Sequence, residues 1–232
     1  MRPAPGEPRY QAGHAFAAWL IAAVVAFSGQ IAILSAAGYL NTKPADRPLW
    51  MDAILLVPLW ASLLAATVII SRVWGTGSLR DDYGLRFRAF DVLGVPIGIA
   101  AQAVLVPAIY WVLQVSAEDV SSQARTLTDR AGSDAEVILL VLMVVVGAPI
   151  IEELFFRGLL MRSIQARWND GLALVASSLF FALVHFQPLQ IPGLFMFGLI
   201  AGTCAQRTGR LGMSIFAHAA FNGTAVVALL SG

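Results

Sequence analysis

The chain is built from recurring apolar stretches, most of them about as long as a lipid bilayer is thick. A helix crossing the hydrocarbon needs roughly 20 mostly apolar residues. Seven stretches meet or approach this length: His14–Leu40, Trp50–Trp74, Val92–Val115, Ala135–Arg162, Leu172–Phe186, Ile191–Gln206 and Met213–Leu230. The fifth and sixth are the shortest, and their ends are the least sharply marked. In lipid every backbone N–H and C=O must find a partner within the protein, which a helix supplies locally and an open sheet does not. The expected fold class is therefore all-α, a polytopic transmembrane helical bundle of about seven spans. Pro58, Pro96, Pro107 and Pro149 fall inside spans, where membrane helices accommodate proline as a kink.

Composition enters here as a check. The chain is 58% hydrophobic and 12% charged, whereas soluble domains carry about a quarter charged residues. A net charge of +1 argues against nucleic acid as a partner, because such binders present a strong basic patch. The single cysteine, Cys204, excludes an intrachain disulfide. Lying in an apolar stretch, it is expected to pack rather than react. The first stretch outruns the apolar core of a signal peptide, about 7–15 residues. It is read as a span, with cleavage near Ala36–Ala37 as the alternative.

The connections set an orientation. Gly75–Asp91 carries Arg80, Arg86 and Arg88; Glu118–Asp134 is polar and mixed in charge; Trp168–Gly171 and Thr208–Arg210 have turn residues. Lys and Arg prefer the cytoplasmic side. An N-terminus inside places Arg2, Arg9, Arg72, Arg80, Arg86, Arg88, Arg157, Arg162, Arg167, Arg207 and Arg210 inside. Only Lys43, Arg47, Arg125 and Arg130 then lie outside. The N-terminus is expected in the cytoplasm and the C-terminus on the far side.

The chemistry concentrates in the fourth stretch, Ala148-Pro149-Ile150-Ile151-Glu152-Glu153-Leu154-Phe155-Phe156-Arg157. Ionisable groups inside a membrane are costly and usually mark function. Glu153 and Arg157 share a helix face at i, i+4. The structural alternative is a salt bridge at a helix end. His185 closes a further apolar run, and His218 and Asn222 lie one turn apart on the last stretch. Each alone could be a packed histidine or an interhelical amide. At about 1.5 Å per residue, Glu152 and His185 both stand about 23–26 Å up the hairpin centred on Trp168–Gly171, and Asn222 about 19 Å up its own helix. The group thus falls in one depth range, nearer the outer face. A desolvated carboxylate makes a base near neutral pH, and His and Asn donors can steady an oxyanion. This is a hydrolase constellation without a nucleophilic side chain.

Three motifs, Glu152-Glu153-x-x-x-Arg157, Phe181-x-x-x-His185 and His218-x-x-x-Asn222, resemble those of the CPBP family. These are the CAAX prenyl endopeptidase and bacteriocin-processing membrane proteins, also called Abi. Ala201–Thr203 and Arg207–Leu211 also look like family members. The resemblance spans about Ala135–Leu230. It implies an intramembrane, metal-independent glutamate endopeptidase with no cofactor and no metal. Glu152 would activate water with His185; His218 and Asn222 would form the oxyanion site; Glu153 and Arg157 would orient Glu152. Phe181 is expected to pack. Residues 1–134 would be N-terminal transmembrane helices with charged loops, and 135–232 the CPBP-like catalytic core. The implied partners are a membrane peptide or protein substrate and the lipid bilayer. The implied location is the plasma (inner) membrane of a bacterium, with the site open to the cytoplasm, which conflicts with the depth estimate above.

Two other classes stay open. Glu152, His185 and His218 could ligate zinc, although no His-Glu-x-x-His is present. A non-catalytic immunity or scaffold protein, or a proton-coupled transporter, would also use a buried Glu, although no repeated halves are visible. Gly198-x-x-x-Gly202 is expected to permit close helix approach.

Overall fold

The structure is a computed structural model that describes residues 10–231, within which every regular element is helical. The long elements are α1 (Ala12–Ala36), α2 (Leu49–Trp74), α3 (Ala89–Leu113), α5 (Asp134–Gln165), α7 (Ile191–Thr208) and α8 (Gly212–Ser231). These six are long and apolar enough to cross a membrane. Between them lie α4 (Ala117–Thr128) and the shorter apolar helix α6 (Asp170–Leu183). The protein is thus a multi-pass integral membrane bundle with six full spans and one short one.

Local signals explain most of the boundaries. Asn169 caps α6 by accepting the Leu172 N–H at 2.8 Å, as N-terminal Asn residues do. The Trp168–Gly171 turn is therefore a cap followed by a helix start. Gly209, at φ 65°, supplies the left-handed residue that ends α7. The segment Glu118–Asp134, read as a connection, begins instead with the helix α4. Its signal is the Ser116 hydroxyl, which accepts the Asp119 N–H at 3.1 Å. The helix is too short and polar to register as a span.

Charge gathers at one end of the bundle. Arg210 pairs with Asp91 at 2.5 Å, and Arg162 donates to the Gly209 carbonyl at 2.9 Å. Tyr10 donates to the Asp82 carbonyl at 2.8 Å. Burial and then the Asp82 charge push the Tyr10 phenol up to about 12, so it remains a donor. Arg2 and Arg9 lie outside the described residues. Arg157 does not belong to this end: it is fully buried within the bundle. At the opposite end Arg130 meets Asp52 at 2.7 Å and the Pro44 and Arg47 carbonyls at 3.0 Å.

Close contacts between helices rest on small residues. The buried positions of α1 are Ala12, Ala15, Ala18, Ala22 and Ala26, an all-alanine seam. A Cβ on Gly198 would sit 2.9 Å from Ser178 Cβ, and one on Gly202 would sit 2.5 Å from Leu174 Cδ1. The expected close approach of α7 to α6 is therefore observed. A second pair, Gly94 and Gly98 on α3, lies against α8. Cβ atoms there would collide with the Met213 and Ala217 carbonyl oxygens. Backbone touches backbone at this crossing, which fixes where α8 presents His218.

Candidate active site

Glu152 and Glu153 lie on a short α-helical stretch, Ala148–Glu153, between two π-helical stretches, Val141–Gly147 and Leu154–Met161. Such wide turns commonly mark functional sites. Successive residues on a helix point in different directions, and the two carboxylates have separate environments. Glu153 is completely buried. Its Oε1 accepts from Arg157 Nη1 at 2.9 Å and lies 2.9 Å from His218 Nδ1. Arg157 is equally buried; Nη2 donates to the Gly198 carbonyl at 3.2 Å, and the guanidinium stands 4.4 Å over the Phe181 ring. Removing one partner of a pair this deep would leave an uncompensated charge, at a cost of about 3–5 kcal/mol.

Glu152 keeps 21% of its side chain exposed and comes within 3.8 Å of His218 Nε2. A carboxylate accepts, so His218 donates Nδ1–H to Glu153 and directs its other nitrogen toward Glu152. The imidazole bridges the two carboxylates. Phe197 packs beside it, with ring centroids 4.9 Å apart.

His185 follows the end of α6. Its Nδ1 is 2.6 Å from the Phe181 carbonyl, which can only accept. Nδ1 therefore carries the proton, and Nε2 is free to accept. The His185 ring is 4.7 Å from the Phe181 ring, which is 5.8 Å from that of His218. Phe181 itself is fully buried and packs between the groups, as expected. Asn222 turns its amide to the Val144 carbonyl at 2.8 Å.

The structure thus joins Glu152, Glu153, Arg157 and His218 directly and brings His185 alongside through Phe181. Asn222 is one turn from His218, but its amide bond reaches the π-helical stretch. Glu152 is 13 residues from Gln165 at the arginine-rich end and 18 from Asp134 at the other. It lies nearer the arginine-rich end of its own helix, which is 32 residues long. The Gly94–Gly98 pair was missed, although it has the same spacing as Gly198–Gly202. Phe197 carried no sequence signal.

Chemically, the arrangement offers a partly open carboxylate beside an imidazole whose far side is held by a second, locked carboxylate. Among the described residues, no three His, Cys, Asp or Glu side chains converge on a point that could hold a metal ion.

Comparison with known proteins gives a consistent picture. Residues 134–224 match the family described as type II CAAX prenyl endopeptidase Rce1-like. The Bacillus subtilis (strain 168) protein named "Putative membrane peptidase YdiL" is 26% identical over 211 residues, covering 88% of this chain and 84% of that one. No solved structure gives a significant match. Residues 134–224 therefore resemble the type II CAAX prenyl endopeptidase Rce1-like family, and most of the chain is similar to a protein named as a membrane peptidase.

Proposed function

We propose that this protein is a metal-independent glutamate endopeptidase that cleaves a membrane-associated peptide or protein C-terminus within the bilayer. The observation that carries this reading is the asymmetry of the adjacent glutamates. Glu153 is buried and doubly paired, whereas Glu152 is partly open and 3.8 Å from an imidazole nitrogen. One carboxylate holds the scaffold and the other is free to take a proton.

In this mechanism a water sits between Glu152 and His185 Nε2. Glu152 removes its proton while the oxygen attacks the scissile carbonyl. Negative charge develops on the carbonyl oxygen. His218, protonated on both nitrogens and held by Glu153, donates Nε2–H to that oxygen; the N–H of Asn222 not engaged by Val144 is a second donor. Collapse of the tetrahedral intermediate breaks the C–N bond, and Glu152 returns the proton to the leaving amine. A positioned general base contributes about 10²–10⁴-fold, and a single oxyanion donor about 10²–10³-fold. In the cluster, two carboxylates face one guanidinium and one imidazolium, so the charges balance when His218 is protonated.

Residues 135–232 carry the chemistry in this reading, and residues 1–134 frame it. The arginine-rich end faces the cytoplasm, with the N-terminus inside and the chain in a bacterial plasma membrane. Glu152 then lies nearer the cytoplasmic end of its helix, on the side from which a prenylated or otherwise anchored C-terminus would enter.

Purified protein incubated with a membrane-peptide library in the presence of chelator tests the proposal. Wild type should cleave, and Glu152→Gln should lose at least about 10²-fold in rate while unfolding at the same temperature. Cleavage by both would remove Glu152 as the base. Loss of wild-type activity with chelator would move the chemistry to a metal.

A further inference from the structure

Helix α5 contains a defect that its sequence imposes. Pro149 has no N–H. In the π-helical stretch before it, Ala148 N–H donates five residues back, to the Met143 carbonyl. The Val144 carbonyl therefore loses its α-helical donor, Ala148, to Met143. Its π-helical donor would be residue 149, a proline. A carbonyl in the middle of a membrane bundle with neither backbone donor is costly to leave unpaired, and Asn222 Nδ2 supplies a donor at 2.8 Å.

The same sequence event occurs elsewhere without this answer. In α3, Val106 N–H donates to the Ala101 carbonyl, and the next residue is Pro107. The Gln102 carbonyl is stranded in the same way, yet among the described residues no side chain donates to it. Of these two π-helical defects, only the one at Pro149, three residues before Glu152, carries an amide from another helix. What distinguishes the two is the neighbourhood, because the turn after Pro149 presents Glu152 and Glu153.

We infer that Asn222, besides offering its second N–H to the oxyanion, is a positioning residue for the two glutamates. Its bond to the Val144 carbonyl locks α5 in the wide-turn register that points Glu153 at Arg157 and His218 and leaves Glu152 partly open. Without that bond the cheapest repair is to shift the register of the turn, which would swing both carboxylates around the helix. Asn222 and His218 share one face of α8, so the helix that bears the imidazole also sets the angle of the carboxylates it contacts.

The inference rests on the peptidase reading only for its activity arm. Four proteins decide it: wild type, Asn222→Ala, Pro149→Ala and the double variant. Pro149→Ala restores an N–H at position 149 that can serve the stranded carbonyl. In detergent, Asn222→Ala should lower the unfolding midpoint by about 2–6 °C, and the double variant should recover at least half of that loss. Additive losses would overturn the inference, because Asn222 would then act through something other than Val144. In the cleavage assay Asn222→Ala should lower kcat more than it changes KM, and the double variant should regain about tenfold. A double variant whose kcat stays at the Asn222→Ala value despite recovered stability would also overturn it, because the whole loss would then belong to the missing oxyanion donor and none of it to the register of α5. Should wild type cleave nothing, the peptidase reading fails, and the stability coupling alone decides the role of Asn222.

Discussion

Helices α1 and α5 are held in the same membrane by opposite means. The buried positions of α1 are all alanine, while its exposed positions include Leu20, Ile21, Val24 and Phe27. Nothing ionised is buried along it, and close van der Waals contact fixes its place. Helix α5 buries a glutamate and an arginine completely, ties them to a histidine on α8, and spends a backbone irregularity to aim them. Lipid offers no hydrophobic drive to bring helices together, so association rests on packing and on interhelical hydrogen bonds. The first device tolerates small errors in angle. The second does not, because a displaced carboxylate becomes an unpaired charge.

That contrast can be broken at graded strength. The largest effect belongs to Arg157→Met, which strands Glu153; it should cost about 3–5 kcal/mol, read as unfolding in detergent against wild type. Adding Glu153→Gln should return part of the loss, since both charges are then gone. If Arg157→Met were no worse than a change in α1, the charged seam would not be what holds α5. A middle effect is expected for Ala15→Leu, whose position is fully buried. Overpacking should cost about 1–3 kcal/mol, while the surviving folded protein keeps its kcat. A collapse of kcat in that protein would tie α1 to the site. The smallest effect is Leu20→Ala, at a position 60% exposed toward lipid. It should change stability by less than about 0.5 kcal/mol, and a larger loss would reveal a contact that the bundle does not contain.

What was legible in the sequence follows the same division. Apolar length gave the long helices to within a few residues, because the bilayer imposes that length directly. The motif residues were legible because charges inside an apolar run have few bland explanations. Helix α4 escaped, since amphipathic surface helices lack the length signal, although Ser116 and Asp119 mark its start. The wide turns of α5 left only a hint in Pro149, because a proline shows that a carbonyl will be stranded but not which side chain will answer it. Asn222 could be placed near His218 by spacing, whereas its bond to Val144 depends on how closely α8 approaches. That approach is set by Gly94 and Gly98, whose meaning appears only when the opposing helix is known.

Helix α6 has 14 residues, so at about 1.5 Å each it reaches some 21 Å, against roughly 30 Å of hydrocarbon. His185 and the 78%-exposed Phe186 stand just beyond its end. Lipids facing α6 meet a helix shorter than the hydrocarbon is thick, and they must compress or tilt to match it. Mismatch of this kind costs fractions of a kcal/mol per Å and sorts proteins among membranes by thickness. Bilayer thickness therefore becomes a setting for the site, and acyl-chain length is a variable that its activity should follow.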